Sequence, residues 1–394
     1  MSKNSIVIVG SARTPMGGLL GDFTGVPASD LGATAIAAAI SRSGIDANSV
    51  TETIMGCCLP AGQSQAPARQ AMRKAGVPDS TGAVTINKMC GSGMKAMMQA
   101  HDSLVAGSND IVIAGGMESM TEAPHMLPGV RTGIKYGGSQ MIDHMALDGL
   151  TDAYGGEPMG VYAELCAEKY QFTREGQDAY AIESLVRAQR AIQDGDFVDE
   201  IAPVTVKSRR GDTIIDTDEQ PGKARLDKIP MLRPAFKKDG SITAANASSI
   251  SDGAAALVMM REEDAAGANA KPVAYVRGIG THSHAPEWFT TAPIGAIKKA
   301  LDSAGWTKDD VDLFEINEAF AVVTMAAIQE FGLDHEKVNV NGGACALGHP
   351  IGASGARIMV TLINALRKRG LKKGLGALCI GGGEATAMCI ELAD

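Results

Sequence analysis

The sequence predicts an α/β protein, and three observations carry that reading. Short Val/Ile runs alternate with Ala-rich stretches of helical length from the first residues onward, the pattern of strands covered by helices. The order strand, Gly-rich turn, helix, strand occurs twice, around residues 90 and 349, which suggests a duplicated architecture. Glycine, at 47 of 394 residues, stands well above the usual share of about 7% and suits tight turns and close backbone packing.

In chain order, residues 6–9 read as a first strand. A helix opens at Ser29-Asp30-Leu31, Ile54 sits in a second strand, and a helix covers 66–75. A strand at 84–87 leads through a Gly-rich turn into a helix over 94–105, then a strand at 110–114 that ends at Gly115-Gly116. From about 117 to 248 the texture changes to Met-, Pro-, Gly- and charge-rich loops around two helices, and this reads as an inserted lobe. The better of those helices starts after Thr173 and ends at Gly195. Residues 254–260 form an apolar run fit for a buried strand, and Lys271-Pro272 reads as a linker. The expected halves are therefore 1–270 and 271–394. The second repeats the pattern with 338–341, a Gly-rich turn, a helix over 353–369, a strand at 376–379 and Gly381-Gly382-Gly383.

Composition narrows the function. Hydrophobic residues make up 45% and charged residues 21%, and no apolar stretch is long enough to span a bilayer. A formal net charge of −9 argues against the broad positive field of a general nucleic-acid binder. The seven cysteines contain no Cys-x-x-Cys pair, so neither a disulfide framework nor a zinc ribbon is expected, and the first residues lack the form of a signal peptide. The expected compartment is the cytoplasm.

Four positions carry chemistry. Cys90, in Asn87-Lys88-Met89-Cys90-Gly91-Ser92-Gly93, falls at a helix N-terminus, where free N–H groups and the helix dipole favour a thiolate; a small buried hydrophobe is the competing reading. His349, in Gly348-His349-Pro350-Ile351-Gly352, lies in a turn where it could take a thiol proton, with Pro350 opening the following helix. The alternative is a histidine bonding its own turn. Asn317, in Asn317-Glu318-Ala319-Phe320, stands at a strand's carboxyl end, as a site amide or as a helix cap. Cys379 precedes three glycines whose N–H groups could hold an oxyanion, and taken alone it is also an ordinary core cysteine. A duplicated fold would turn all four toward one crevice.

These four motifs, in this order and spacing, resemble the site motifs of the thiolases, and the resemblance spans essentially the whole chain. It implies the thiolase fold: two halves, each with a mixed five-stranded sheet, in an αβαβα layering with a loop lobe. It also implies reversible Claisen condensation of two acetyl-CoA to acetoacetyl-CoA by ping-pong chemistry. Cys90 would be acylated with His349 as base, and Cys379 would move the α-proton. Asn317 would hold a water, and the N–H groups of Cys90 and Gly381 would bind the acyl oxyanion. Coenzyme A would be a co-substrate with no prosthetic group required. Its pantetheine arm would pass Leu150, Met159, Phe236, Ala244, Ser248, Ala319 and Phe320. Residues 207–238 hold nine Lys/Arg against five acids, and Lys207, Arg209, Arg210, Lys223 and Arg225 are candidates for the nucleotide end; a solvated face is the plain alternative. A homotetramer built as a dimer of dimers is expected, with contacts through the lobe.

The chain departs from the family pattern where Glu157-Pro158-Met159-Gly160 carries Pro158 in place of a histidine common in acetoacetyl-specific members. A degradative 3-ketoacyl-CoA thiolase of broader chain length is the neighbouring reading. Trp288-Phe289 and Thr243-Ala244-Ala245-Asn246 instead resemble a branch that binds potassium, which would place an ion near Tyr180, Ala244, Ala245, Ala247 and Cys345. From other classes, a nucleotide-binding protein lacks its usual loops here, since no Gly-x-Gly-x-x-Gly follows the first strand. A non-catalytic protein would need the thiols to be inert.

Overall fold

The computed structural model describes residues 5–209 and 211–394. Its frame is nine strands: β1 (Ile6–Arg13), β2 (Glu52–Gly56), β3 (Gly82–Ile86), β4 (Ile111–Ser119), β5 (Ser251–Arg261), β6 (Ala274–Ser283), β7 (Leu313–Ile316), β8 (Lys373–Ile380) and β9 (Glu384–Leu392). They lie in the order β7-β8-β9-β6-β1-β5-β4-β2-β3, with the short Gly17–Gly18 strand added against β5. β2 is parallel to β3 and β4, and β5 is antiparallel to both β4 and β1. The second half repeats this, with β7 parallel to β8 and β9 antiparallel to both β8 and β6. The halves join where β1 meets β6 through Val7↔Tyr275 and Ile8↔Ala274.

The main helices are α1 (Ala28–Ser43), α2 (Pro67–Lys74), α3 (Ser92–Val105), α4 (Met159–Tyr170), α5 (Arg174–Gln193), α6 (Ala292–Ala304), α7 (Ala321–Phe331) and α8 (Ser354–Arg369). The period-2 alternation of each strand sends side chains into different layers. Ile6 and Ile8 of β1, with Leu257 of β5 and Met388 of β9, enter a central core shared with α3 and α8. Val7 and Val9 face the opposite way, into a core covered by α1 and α2. Leu375 and Ala377 of β8 pack under α6. The result is helix, sheet, helix, sheet, helix. At the middle of the stack α3 and α8 approach so closely that a Cβ on Gly355 would lie 2.4 Å from the Met94 backbone nitrogen.

Two local expectations need correction. Gly115-Gly116 does not end a strand: β4 runs through both to Ser119, whereas Gly381-Gly382-Gly383 forms the turn between β8 and β9. Residues 338–341 are not a full strand either, so the second half has four long strands and a single parallel bridge, Phe314↔Val338. Asn339 adopts φ 48, and its side chain takes over the ladder, accepting from Ile316 N–H at 2.8 Å and donating to Ile316 O at 2.8 Å. Helix α8 begins one turn beyond Pro350, with Ser354.

The lobe is fastened to the sheet by a buried ion cluster that the hydropathy pattern did not reveal. Arg13 of β1, fully buried, grips Asp218 with two nitrogens at 2.7 and 2.8 Å and Glu200 through Nε at 2.5 Å. Thr173 caps α5 as expected, accepting from Gly176 N–H at 3.1 Å. No helix among the described residues is long and apolar enough to cross a membrane.

Candidate active site

The turn that carries Cys90 is held from within. Met89 has φ 47, a left-handed conformation that a long side chain rarely adopts, immediately before the cysteine. Ser92 supports it by donating to Met89 O at 2.7 Å while accepting from Lys88 N–H at 2.8 Å, and the Asn87 carboxamide accepts from Met89 N–H at 2.9 Å. Gly91 allows the approach of the opposite half, since a Cβ there would fall 2.2 Å from Ile380 Cδ1.

The backbone N–H groups of Gly381 and of Cys90 itself act on the Cys90 thiol to favour its thiolate. Cys90 is half-buried in the cleft wall, and that burial outweighs the two N–H groups and pushes the thiol up to about 11, away from the expected thiolate. Cys379 is fully buried at the end of β8, in an apolar wall with Phe289, Ala319 and Phe320. Burial and then the proximity of Cys90 raise its pKa far above the ordinary thiol value.

His349 is anchored by its own N–H, which donates to Ser249 O and Ser251 Oγ, each at 3.2 Å. Its Nδ1 lies 2.5 Å from Ser354 Oγ, and its Nε2 lies 3.5 Å from Asn317 Nδ2. Burial, reinforced by the Arg357 charge, pushes the imidazole down to about 3, so the ring is neutral at physiological pH. Asn317 continues the sheet by donating its N–H to Ala377 O at 2.9 Å.

Cys90, His349 and Gly381 meet in the lining of a cleft of about 760 Å³, whereas Asn317 and Cys379 are buried behind that lining. Leu150, Met159, Phe236, Ala244, Ser248, Ala319 and Phe320 line the same cleft, as do Ala247 and Ile351. The loop bearing Ser248 is stitched to the Asn317 loop by Ser248 N–H to Ala319 O at 2.9 Å and Ala321 N–H to Asn246 O at 2.8 Å. Such a long, mainly apolar cleft with a few convergent polar groups suits a flexible amide-containing arm ending in a thioester.

A family model for the thiolase N-terminal domain matches residues 6–263, and one for the thiolase C-terminal domain matches 270–392. The chain belongs to the thiolase family. It is 50% identical to acetyl-CoA acetyltransferase 2 of Arabidopsis thaliana over 100% of this chain and 98% of that protein. The crystal structure of a Bacillus anthracis acetyl-CoA acetyltransferase superposes with a TM-score of 0.96 at 40% identity, covering 99% of both chains. A thiolase from Ascaris suum, solved in complex with coenzyme A, gives 0.93 at 42% identity over 99% of this chain and 100% of that one.

In this thiolase the four basic candidates among the described residues are absent from the cleft lining. Lys223 pairs with Glu219 and with Asp22, the latter at 3.6 Å, and Arg225 pairs with Asp227 at 3.2 Å. Lys207 and Arg209 are exposed beside a small hairpin, and Arg210 lies outside the described residues. The cleft's charged lining is instead acidic, Asp148 and Asp152. Tyr180 and Cys345 do come together, around buried Glu318, which accepts from the Tyr180 hydroxyl at 2.9 Å and from Cys345 N–H at 3.0 Å. Ala244, Ala245 and Ala247 occupy the neighbouring loop, whose Asn246 is tied to Asp178 of α5 at 3.1 Å.

Sequence reasoning missed Glu118. Fully buried at the end of β4, it accepts from the N–H groups of Cys58, Leu59 and Gly352, at 2.8, 3.1 and 2.9 Å, and so ties the His349 loop to the first half. It also missed the cleft rim at Met145–Leu150, a π-helical turn. A lone carboxylate inside an apolar strand was the available signal for Glu118; the rim had none.

Proposed function

We propose that the chain is an acetyl-CoA acetyltransferase, condensing two acetyl-CoA to acetoacetyl-CoA and free coenzyme A, and catalysing thiolysis in reverse. The observation that carries this is the meeting of Cys90, neutral His349 and Gly381 in the lining of one cleft, with Cys379 close enough for Cys90 to raise its pKa. His349 takes the Cys90 proton as sulfur attacks the thioester carbonyl, the N–H groups of Cys90 and Gly381 hold the oxyanion, and coenzyme A leaves with a proton from Cys379 while His349 keeps the one from Cys90. That transfer leaves Cys379 as a thiolate beside an acyl-Cys90 that can no longer ionise, so the Cys90 contribution that raises the Cys379 pKa is gone and the thiolate accepts the α-proton of a second acetyl-CoA. The enolate oxygen is held by the Nε2–H that His349 carries from Cys90 and by a water on Asn317, and that proton returns to Cys90 when its thiolate is released. Attack of the enolate carbon on the acetyl-Cys90 carbonyl then releases Cys90 and forms the new C–C bond.

The pantetheine path along Leu150, Met159, Phe236, Ala244, Ser248, Ala319 and Phe320 belongs to this proposal, as do Lys223 and Arg225 at the nucleotide end. So do the division at about residue 270, the homotetramer and the cytoplasmic location. Incubation with radiolabelled acetyl-CoA alone should leave one acetyl group on the Cys90 peptide, absent in Cys90→Ala. Label on another residue, or none on folded protein, would refute the mechanism.

A potassium ion is part of the same reading. The hydroxyl of Tyr180 and the carbonyls around Ala244, Ala245, Ala247 and Cys345 offer neutral oxygens suited to a hard monovalent cation. Among the described residues, no cluster of three or more His, Cys, Asp or Glu could hold a metal. Turnover should be higher in potassium than in sodium at equal ionic strength, and equal rates would remove the ion from the account.

A further inference from the structure

The neighbours of His349 define which ring nitrogen carries the hydrogen. Ser354, fully buried in the first turn of α8, donates its hydroxyl to Pro350 O at 2.9 Å, the usual bond from a helical serine to the carbonyl four residues back. A hydroxyl has one proton, so what it presents to Nδ1 is a lone pair, and Nδ1 must be the donor. A neutral imidazole protonated at Nδ1 has a bare Nε2. On the far side of the ring the Asn317 carboxamide lies 3.5 Å from Nε2. The reverse arrangement, with Ser354 donating to Nδ1, would leave the Ser354 oxygen 2.9 Å from Pro350 O with no hydrogen between them.

We propose that Ser354 is the positioning residue that holds His349 as the Nδ1–H tautomer, leaving Nε2 as the atom that exchanges the proton with Cys90. This rests on the thiolase chemistry proposed for the site. The relation is that of an orienting group to a catalytic histidine: the partner on one nitrogen fixes the tautomer and ring plane, so the other nitrogen is ready to accept. Here the orienter is an uncharged hydroxyl. It fixes the proton without pulling the ring toward imidazolium, in keeping with a histidine that stays neutral in the resting site. Because Ser354 begins α8 and Pro350 follows His349, the same short turn sets the backbone and the proton together.

The test is nitrogen NMR of the full-length protein labelled with 15N-histidine, with His349 assigned from the signal lost in His349→Asn. The expected wild-type result near pH 7.5 is a protonated Nδ1 and an unprotonated Nε2. In Ser354→Ala the His349 signals should shift toward a tautomer mixture, and kcat for acetoacetyl-CoA thiolysis should fall about 10- to 100-fold with KM nearly unchanged. Ser354→Thr, which restores the hydroxyl, should recover most of the rate. A wild-type proton on Nε2, or a Ser354→Ala variant with wild-type kcat and tautomer, would overturn the proposal. Wild-type protein with the Nδ1 proton but no turnover of any 3-ketoacyl-CoA would overturn the thiolase reading and leave the tautomer assignment standing.

Discussion

A neutral thiol beside a neutral imidazole becomes a nucleophile only when a proton moves between them, so burial sets the pH at which Cys90 reacts. With the thiol pushed up to about 11 and the imidazole down to about 3, the resting pair is uncharged across the physiological range. The sign follows directly: a raised thiol pKa means that thiolate grows about tenfold per pH unit until the pKa is reached. Alkylation of Cys90 by iodoacetamide should therefore keep accelerating through pH 8 to 10, and a plateau below pH 8 would show a preformed thiolate. The helix-start position of Cys90 was legible in the motif, but its ionisation was not. Proximity to a helix N-terminus can be read from spacing, whereas desolvation depends on how the folded chain encloses the sulfur, and here burial outweighs the Gly381 N–H that favours the thiolate.

At the scale of elements, the strands and helices around the site were legible because their hydrophobic periods are unbroken: 254–260 falls within β5, and 94–105 within α3. The segment at 338–341 misled because Val338 and Val340 have strand-like spacing, while the intervening Asn339 takes a left-handed turn and pairs through its side chain. Arg13 was hidden for a related reason, since a single arginine after an apolar strand looks like a strand end. Its two carboxylate partners lie far away in sequence, in the lobe. Burial raises the Glu200 pKa, and Arg13 opposes that rise. Arg13→Ala should thus leave Glu200 and Asp218 buried without their cation and destabilise the fold by about 3–5 kcal/mol, measured by urea denaturation at pH 7. A loss under 1 kcal/mol would mean that the lobe is not fastened there.

Across the whole molecule, the proposed site draws on both halves. The first supplies Cys90 and the second supplies His349, Asn317, Cys379 and Gly381, while the central core mixes side chains from both. Two contacts cross between the halves close to the chemistry: Lys88, next to the Cys90 turn, pairs with Glu384 after the glycine turn, and Glu118 accepts from Gly352 N–H. The duplicated pattern told which turns would converge. It did not reveal these clasps, because they join residues that follow no local period. The most direct test of the account is coenzyme A-dependent thiolysis, as kcat/KM, for acetoacetyl-CoA, its 2-methyl derivative and 3-ketoacyl-CoA substrates of increasing length, with Cys90→Ala as control. The account predicts highest kcat/KM for the shortest substrates and none in the variant; folded wild-type protein that turns over no 3-ketoacyl-CoA, or a Cys90→Ala variant that retains activity, would contradict it.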